Sequence, residues 1–439
     1  MITAALRSIV GSKNRFRDPI YGFIALSDDE VRIVDTSIFQ RLRRIHQLAL
    51  EKYVYTGAEH SRFCHSLGVV HTATRLFESL LSNVTDGLED IAVSIKTLRF
   101  AALLHDIGHL PFSHGIEEEL LPAGMKHEQI SAHIIEHHPE ITRILEGAGV
   151  RPSSVAALIV PRKRRVASAN EALLKMIISG HLDADRADYL LRDSYYCGVK
   201  YGVYDFERYL SAMRVMDVKS PQIWIKSDDV PIIEEFLLAR YHSNIQISFH
   251  RTRTMYDIAL REFVQNEKRN KGEIFRLFEE SFSFNGRRIA HLDFEKFETL
   301  NDYTFFFYLD RYSREDYWAQ CLRRGREHLS MLKEYIRPVR DGLRDMKKAL
   351  RALARAGFEE GKDFYSWNTD FKLHKFDEEV DPIRVYDKHS RKDLGGIDNY
   401  SMLFKMSEGK VVFMWRIYVR ADMNEQARKK MIHTIESSL

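Results

Sequence analysis

"AALLHDIGHLPFSHGIEEEL" (residues 101–120) starts as an apolar helix of the kind that fills a core, then sets His105, Asp106, His109, His114, Glu117, Glu118 and Glu119 within fifteen positions. The residues upstream say which way it faces. Ile91, Ile95, Leu98 and Ala102 recur at steps of four, three and four, and His105 is the next member of that stripe. His105 therefore faces inward. Asp106, about 100° further round the helix, can approach the same point from a neighbouring direction. Burying a carboxylate without a cation or strong donors costs several kcal/mol, so the pair asks for partners from elsewhere in the chain.

Two segments supply them. In "SRFCHSLGVVHTATRLFESLL" (61–81) the stripe His65, Val69, Thr72, Leu76, Leu80 brings a second histidine to an apolar face. In "IISGHLDADRADYLLRDS" (177–194) the stripe Ile178, Leu182, Asp185, Tyr189 does the same for an aspartate. Asp183, about 200° from Asp185 on a helical wheel, points away, whereas Asp188 is less cleanly excluded. Two imidazoles and two carboxylates, His65, His105, Asp106 and Asp185, make a mixed nitrogen and oxygen site. Such a set suits Mn, Fe or Zn, and also Mg where waters complete the shell. Four protein ligands leave positions for water and a phosphate oxygen, the layout of a catalytic site rather than a closed structural one.

The rest of the sequence frames that site. With 439 residues, 44% hydrophobic and 29% charged, the chain is an ordinary globular protein rather than a disordered one, and a net charge of +3 is weak evidence for any partner. Cys64, Cys197 and Cys321 form neither a disulfide framework nor a CxxC metal pair. No apolar run reaches the length of a membrane span and Arg7 interrupts the first residues, so we expect a cytoplasmic protein with no membrane partner. Ten prolines and 22 glycines among long stretches of helical period point to a mainly α chain. "PRKRRVASAN" (161–170) reads as a solvated basic loop ahead of a phosphate or nucleic-acid contact.

From about residue 275 the pattern changes: "FNGRRIAHLDFEKF" mixes short runs, and the spacing of Trp318, Leu322, Leu329 and Leu332 predicts one long amphipathic helix over roughly 313–356. "PIRVYD" (382–387) and "KVVFMWRIYVR" (410–420) read as strands with "DLGGIDN" as a turn between them, and "MNEQARKKMIHTIESSL" closes as a helix. The expected organisation is a helical core over residues 1–275 and a smaller α+β region over 276–439, serving as oligomer contact or cover.

His65, His105-Asp106 and Asp185 resemble the H...HD...D signature of the HD-domain metal-dependent phosphohydrolases. "DPIYGFIALSDDEVRIVDTSIFQRLRRIHQLAL", "TGAEHSRFCHSLGVVH", "HDIGHLPFSHGIEEEL", "KHEQIS" and "LDADRADYLLRDSYYCGV" extend the resemblance, over roughly residues 14–270, to the deoxynucleoside triphosphate triphosphohydrolases of that superfamily. The resemblance implies an HD-domain helical core, a divalent metal, and hydrolysis of a dNTP at the α-phosphorus to deoxynucleoside and inorganic triphosphate.

It also implies roles. His114 is the general acid, oriented by Glu117, while His109 and His127 meet phosphate oxygens or the attacking water. Glu118 and Glu119 match no role and read as a solvated face. Arg62, Arg186 and Arg240 fall on positions that carry cations for the triphosphate. Gln47 and Leu48 fall on positions that contact the sugar, and Tyr189 and Asp193 on the sugar and phosphate pocket; core packing is an alternative for Tyr189. An aromatic expected eight positions after Arg240 is Ser248 here, and a histidine expected four positions after it is Asn244, which leaves discrimination of deoxyribose to other groups such as Tyr189. Asp35, Arg43, His250 and Arg251 fit a nucleotide activator site, although Asn14 and Arg17 depart from its pattern. In the family that site lies between subunits, so an activator implies a homo-oligomer, a tetramer or dimer.

Two other classes compete. An HD phosphodiesterase or nuclease acting on another phosphate ester or single-stranded nucleic acid could use the same metal site. A near-neutral net charge argues against extensive nucleic-acid contacts, though not against a local basic groove. A non-catalytic nucleotide sensor has no need of the His114/Glu117 pair.

Overall fold

A computed structural model describes residues 2–11, 13–82, 90–160, 168–312, 314–324, 328–372, 383–407 and 411–439. The chain is mainly α, with a helical core and a smaller C-terminal α+β part. Three helices build the centre: Arg62–Leu80 packs against both Ile91–Leu104 and Ala184–Cys197. Their faces follow the sequence period, since His65, Val69, Thr72, Leu76 and Leu80 are all buried along the first of them. Local chemistry sets their ends. The Asp90 carboxylate accepts from the Val93 N–H at 3.1 Å and opens the second helix, Asp183 accepts from the Arg186 N–H at 2.8 Å and opens the third, and Gly198 at φ 69° closes it.

The first and third helices meet where Gly68 removes the side chain between them. A Cβ there would lie 2.0 Å from Asp188 Oδ1 and 2.3 Å from an Arg192 nitrogen, both buried. Gly68→Ala is therefore expected to wedge the helices apart and destabilise the fold by about 3 kcal/mol or more. Thermal unfolding checks this, and an unchanged Tm would mean the two helices have slack.

The stripe read from Ile178 to Tyr189 crosses a break. Ala169–Ser179 and Ala184–Cys197 are separate helices parted at Gly180, so only Asp185 and Tyr189 of that stripe share one. An Asn14–Asp18/Gly22–Leu26 hairpin, which the sequence reading did not find, precedes the core.

The C-terminal region corrects two expectations. In place of one helix over 313–356, Tyr317–Arg324 is a helix, Leu329–Pro338 a strand, and Val339–Arg355 a second helix, so Leu329 and Leu332 lie in the strand. Pro338, without an N–H, marks the stop, and pairing along the central strand Val411–Arg420 outweighs the helical spacing of the leucines. Nor is "DLGGIDN" a turn joining two paired strands. Asp393–Gly396 is itself a strand on Arg384–Tyr386, which runs parallel to Ile223–Lys226 of the N-terminal half. Val411–Arg420 belongs to a different sheet, between Leu329–Pro338 and Tyr365–Lys372. Residues 161–167 of the basic loop, and Pro382 and Lys410 at the edges of the two strand readings, lie outside the described residues.

One buried apolar cluster takes in side chains from Leu6 to Tyr418, including Phe297, Phe305 and Leu309. A second centres on Trp415, where Ala349, Leu353, Met431 and Ile435 of the two covering helices meet the three-stranded sheet. No helix among the described residues is long and apolar enough to cross a membrane.

Candidate metal centre and active site

The four expected ligands converge. His65 Nε2 lies 3.0 Å from Asp185 Oδ1 and 3.7 Å from Asp106 Oδ2, and His105 Nε2 lies 3.3 Å from Asp106 Oδ1 and 3.9 Å from Asp185 Oδ1. The two ring nitrogens face each other at 3.3 Å. His65, His105 and Asp106 are buried, while the Asp185 side chain is 37% exposed and forms the open side.

The outer partners show what the pocket is built to hold. His65 Nδ1 is 2.8 Å from Asp188 Oδ2, and His105 Nδ1 is 2.8 Å from the Ala102 carbonyl. Both partners are acceptors, so each Nδ1 carries the proton in the neutral ring and each Nε2 lone pair points into the shared space. Two lone pairs and two carboxylates aimed at one point form a donor set that would hold a divalent cation. The donor separations match ligands held at roughly 2.0–2.2 Å around a divalent metal. The flanking carboxylates favour positive charge in this pocket: burial works against a charged His65 ring, yet Asp185 and Asp188 raise it to about 10. A metal at Nε2 would therefore displace the proton that the charged ring carries there. Burial likewise opposes the Asp106 anion, but Arg62 and the His105 and His109 rings hold its carboxyl well below the usual range.

Asp188 is the residue the sequence reading left undecided. It is fully buried, ion-paired with Arg192 at 2.8 Å, and holds His65 in register. Asp188→Asn is expected to weaken metal affinity by about 10- to 100-fold while the four ligands stay in place, as measured by metal titration. An unchanged affinity would show that His65 needs no orienting partner.

Beside the metal pocket, Glu117 gathers three histidines. Its Oε1 is 2.9 Å from His127 Nδ1 and 3.3 Å from His109 Nδ1, and its Oε2 is 3.1 Å from His114 Nδ1. Burial opposes the Glu117 anion, but the three rings hold its carboxyl far below the ordinary range. His109 and His127 stack at 3.5 Å, too close for two positive rings. Burial and Arg62 push His109 down to about 3, while Glu117 and its neighbours raise His127 against burial. The outer nitrogens of these two rings look toward the metal pocket, 3.2 Å and 3.9 Å from Asp106 Oδ1. His114 differs: it starts the His114–Leu120 helix and its side chain is 64% exposed.

Gly108 makes the close packing of this wall possible. A Cβ there would meet the Ser131 nitrogen at 2.4 Å and the His127 carbonyl at 2.5 Å. Ser131 Oγ in turn donates to the His105 carbonyl at 2.7 Å. Glu118 is exposed, and Glu119 accepts from Gln265 at 3.1 Å.

The expected substrate residues divide by how far they are already engaged. Arg62 donates to Asp106 and, at 2.7 Å, to Ser113 Oγ. Arg186 is held by Asp183 and the Gly180 carbonyl. Asp193 accepts from His60 Nε2 at 2.9 Å. By contrast, Arg240 Nε and Gln47 Oε1 are buried without a hydrogen-bond partner. Tyr189 is half-buried beside Arg240, its phenol raised by burial, and Leu48 is half-buried next to Gln47. Asn244–Ser248 is a π-helical turn directly after the helix that carries Arg240.

The residues read as an activator site stand on separate elements. Asp35 is exposed at the end of Asp28–Val34, and Arg43 is exposed with its guanidinium 3.5 Å from the centre of the Phe63 ring. His250 caps the helix Arg251–Asn270 and Arg251 is its exposed first residue. His60, buried and stacked on Tyr196 at 4.5 Å, escaped the sequence reading because a lone histidine in a loop carries no periodic signal.

Residues 62–193, which hold all four candidate ligands and the Glu117 cluster, match the HD domain family. The uncharacterized protein YwfO of Bacillus subtilis is 34% identical over 294 residues, 66% of this chain and 62% of that protein. The deoxynucleoside triphosphate triphosphohydrolase SAMHD1 of Mus musculus is 32% identical over 231 residues, 46% of this chain and 34% of that protein. The chain thus spans less than two thirds of the length of these curated relatives. Among solved structures, a hypothetical protein from Aquifex aeolicus superposes with TM-score 0.74 at 27% identity, covering 95% of this chain and 99% of that one. A phosphohydrolase from Bacteroides thetaiotaomicron does so with TM-score 0.70 at 25% identity, covering 93% and 100%.

Proposed function

Since residues 62–193 of this chain are an HD domain, we propose that the protein is a metal-dependent phosphohydrolase that cleaves dNTPs to deoxynucleoside and inorganic triphosphate. The observation that carries this reading is the convergence of His65, His105, Asp106 and Asp185 beside a histidine that is both exposed and held by a buried carboxylate. A divalent metal in the four-ligand pocket supplies Lewis-acid polarisation of a phosphoryl oxygen and a more acidic water.

The chain's own residues account for the rest. Glu117 accepts a hydrogen bond from the Nδ1–H of His114 and stabilises the doubly protonated ring, whose Nε2–H is the proton handed to the departing 5′-oxygen, leaving the neutral Nδ1–H ring held by the carboxylate. His109 and His127, held by the same carboxylate, present their outer nitrogens to the phosphate side. Arg240 Nε and Gln47 Oε1 lack protein partners, and buried polar atoms of that kind suit a polar ligand, here a triphosphate oxygen and a sugar hydroxyl. Arg62, Arg186, Leu48, Tyr189 and Asp193 complete the proposed substrate-binding set. Asp35, Arg43, His250 and Arg251 form a proposed activator site for a guanine nucleotide or dNTP, completed by a second subunit.

Incubating Mn- or Mg-loaded protein with each dNTP, with and without GTP, tests the reading by product analysis. Release of triphosphate is the expected result, faster with GTP and accompanied by a larger species in light scattering. Nucleoside monophosphate or pyrophosphate as product overturns it in favour of a phosphodiesterase.

A further inference from the structure

The bend that joins the metal ligand Asp106 to His114 is strained and is held from outside the HD domain. Phe112 and Ser113 both adopt φ 54°, a left-handed conformation that residues with a side chain take up only when their surroundings impose it. Neither is glycine. The holding group is Asp302, which is fully buried and begins the helix Asp302–Tyr312. An aspartate at a helix start ordinarily caps its own helix. Here Asn301 Oδ1 takes that task, accepting from the Tyr303 and Thr304 N–H groups at 3.1 Å and 3.2 Å.

The Asp302 carboxylate is thereby free to join two loops. One oxygen accepts from the Phe112 N–H at 2.8 Å. The other accepts from the His46 N–H at 2.9 Å and lies 2.6 Å from His46 Nδ1. His46 directly precedes Gln47, and its carbonyl accepts from Ser113 Oγ at 3.3 Å, so the bend and the loop of the proposed sugar contacts are tied to each other as well as to Asp302. Arg41 adds a second tie between the same parts. Its Nε donates to the Leu300 carbonyl at 2.8 Å and its terminal nitrogens to the His109 and Ile107 carbonyls at 2.6 Å and 3.4 Å. The Phe112 ring packs edge-on against Phe305 and Phe306 of the helix that Asp302 starts.

We propose that Asp302 is a positioning residue which, from beyond the HD domain, holds the Phe112–Ser113 bend in its left-handed form and so sets His114 against the metal pocket. The proposal rests on the role given to His114 above. Asp302 touches neither the ligands nor the Glu117 cluster, so its loss should leave both assembled. A carboxylate accepts from several N–H groups at once, whereas a carboxamide of the same shape has one acceptor oxygen and must turn its NH₂ toward a donor.

Asp302→Asn is the test, read by kinetics, metal analysis and amide hydrogen exchange on the full chain. We expect kcat for triphosphate release to fall about 10- to 100-fold with metal content within about twofold of the parent, and KM to rise by no more than the loosening of the His46–Gln47 loop adds, about tenfold. Exchange should quicken by at least about tenfold over residues 107–116 and stay unchanged in the helices Arg62–Leu80 and Ala184–Cys197. Parental kcat, unaltered exchange over 107–116, or loss of protection spread evenly over the chain together with loss of metal would each overturn the proposal. Asp302→Ser, smaller and still an acceptor, gives the same readings if Asp302→Asn is not recovered folded. Should the parent protein release no triphosphate, the proposed function fails, and the exchange comparison still decides whether Asp302 holds the bend.

Discussion

Asp106→Ala protein is expected to purify without bound metal and to lose activity by on the order of 10⁴-fold, the largest effect of any single change considered. Asp106 stands at the junction of both clusters: one oxygen lies 3.3 Å from His105 Nε2 and 3.2 Å from His109 Nε2, the other 3.7 Å from His65 Nε2 and against Arg62. Truncation removes a ligand and also strands the buried Arg62 guanidinium, a loss of about 3–5 kcal/mol where a buried pair is broken. Asp106→Asn preserves shape and is the gentler control. It too should fail to retain the metal, because a carboxamide adds no negative charge against the cation. Elemental analysis beside steady-state turnover makes the measurement. Full stoichiometric metal in either variant would take Asp106 out of the ligand set.

His114→Ala is the second large effect and its opposite in kind. Turnover should fall about 10²- to 10⁴-fold while metal content, Tm and the far-UV spectrum stay as in the parent. The separation follows from position: the His114 side chain is 64% exposed and hydrogen-bonds to Glu117, whose carboxylate keeps His109 and His127 beside it when His114 is removed. Glu117→Gln is a poorer probe of the same step, since its carboxylate also holds His109 and His127. Activity that survives in His114→Ala would place the proton donor elsewhere.

Much of this site was legible in the chain because helical period is a local property. The spacing from His65 to Leu80 marks an inward face without reference to any partner, and the helix Arg62–Leu80 buries it. Ile91–Leu104 instead ends just before His105, leaves Ile91 half-buried and buries Phe100, Ala101, Leu103 and Leu104 as well, so it is enclosed on more than the one stripe. The stripe that pointed to Asp185 is interrupted in the fold at Gly180, yet Asp185, which shares one helix with Tyr189, still lies 3.0 Å from His65 Nε2. The strand Leu329–Pro338 was misread as helix because its leucines also fit a helical spacing, and only pairing with Val411–Arg420 separates the two patterns. Asp188 was left open because a helical wheel places a side chain on a face and says nothing of whose ring nitrogen it will meet.

The amino-acid order by itself determined which donors exist and which way most of them face, since side-chain direction along a helix follows from residues three and four positions away. Tertiary structure alone decided how those donors are used. The tautomer of His65 depends on Asp188, 123 residues further along, and the bend before His114 depends on Asp302, 190 residues beyond Phe112. Hydrogen bonds that close loops of that length carry no periodic trace in the sequence, because they are specified by packing between whole elements rather than by the spacing within one.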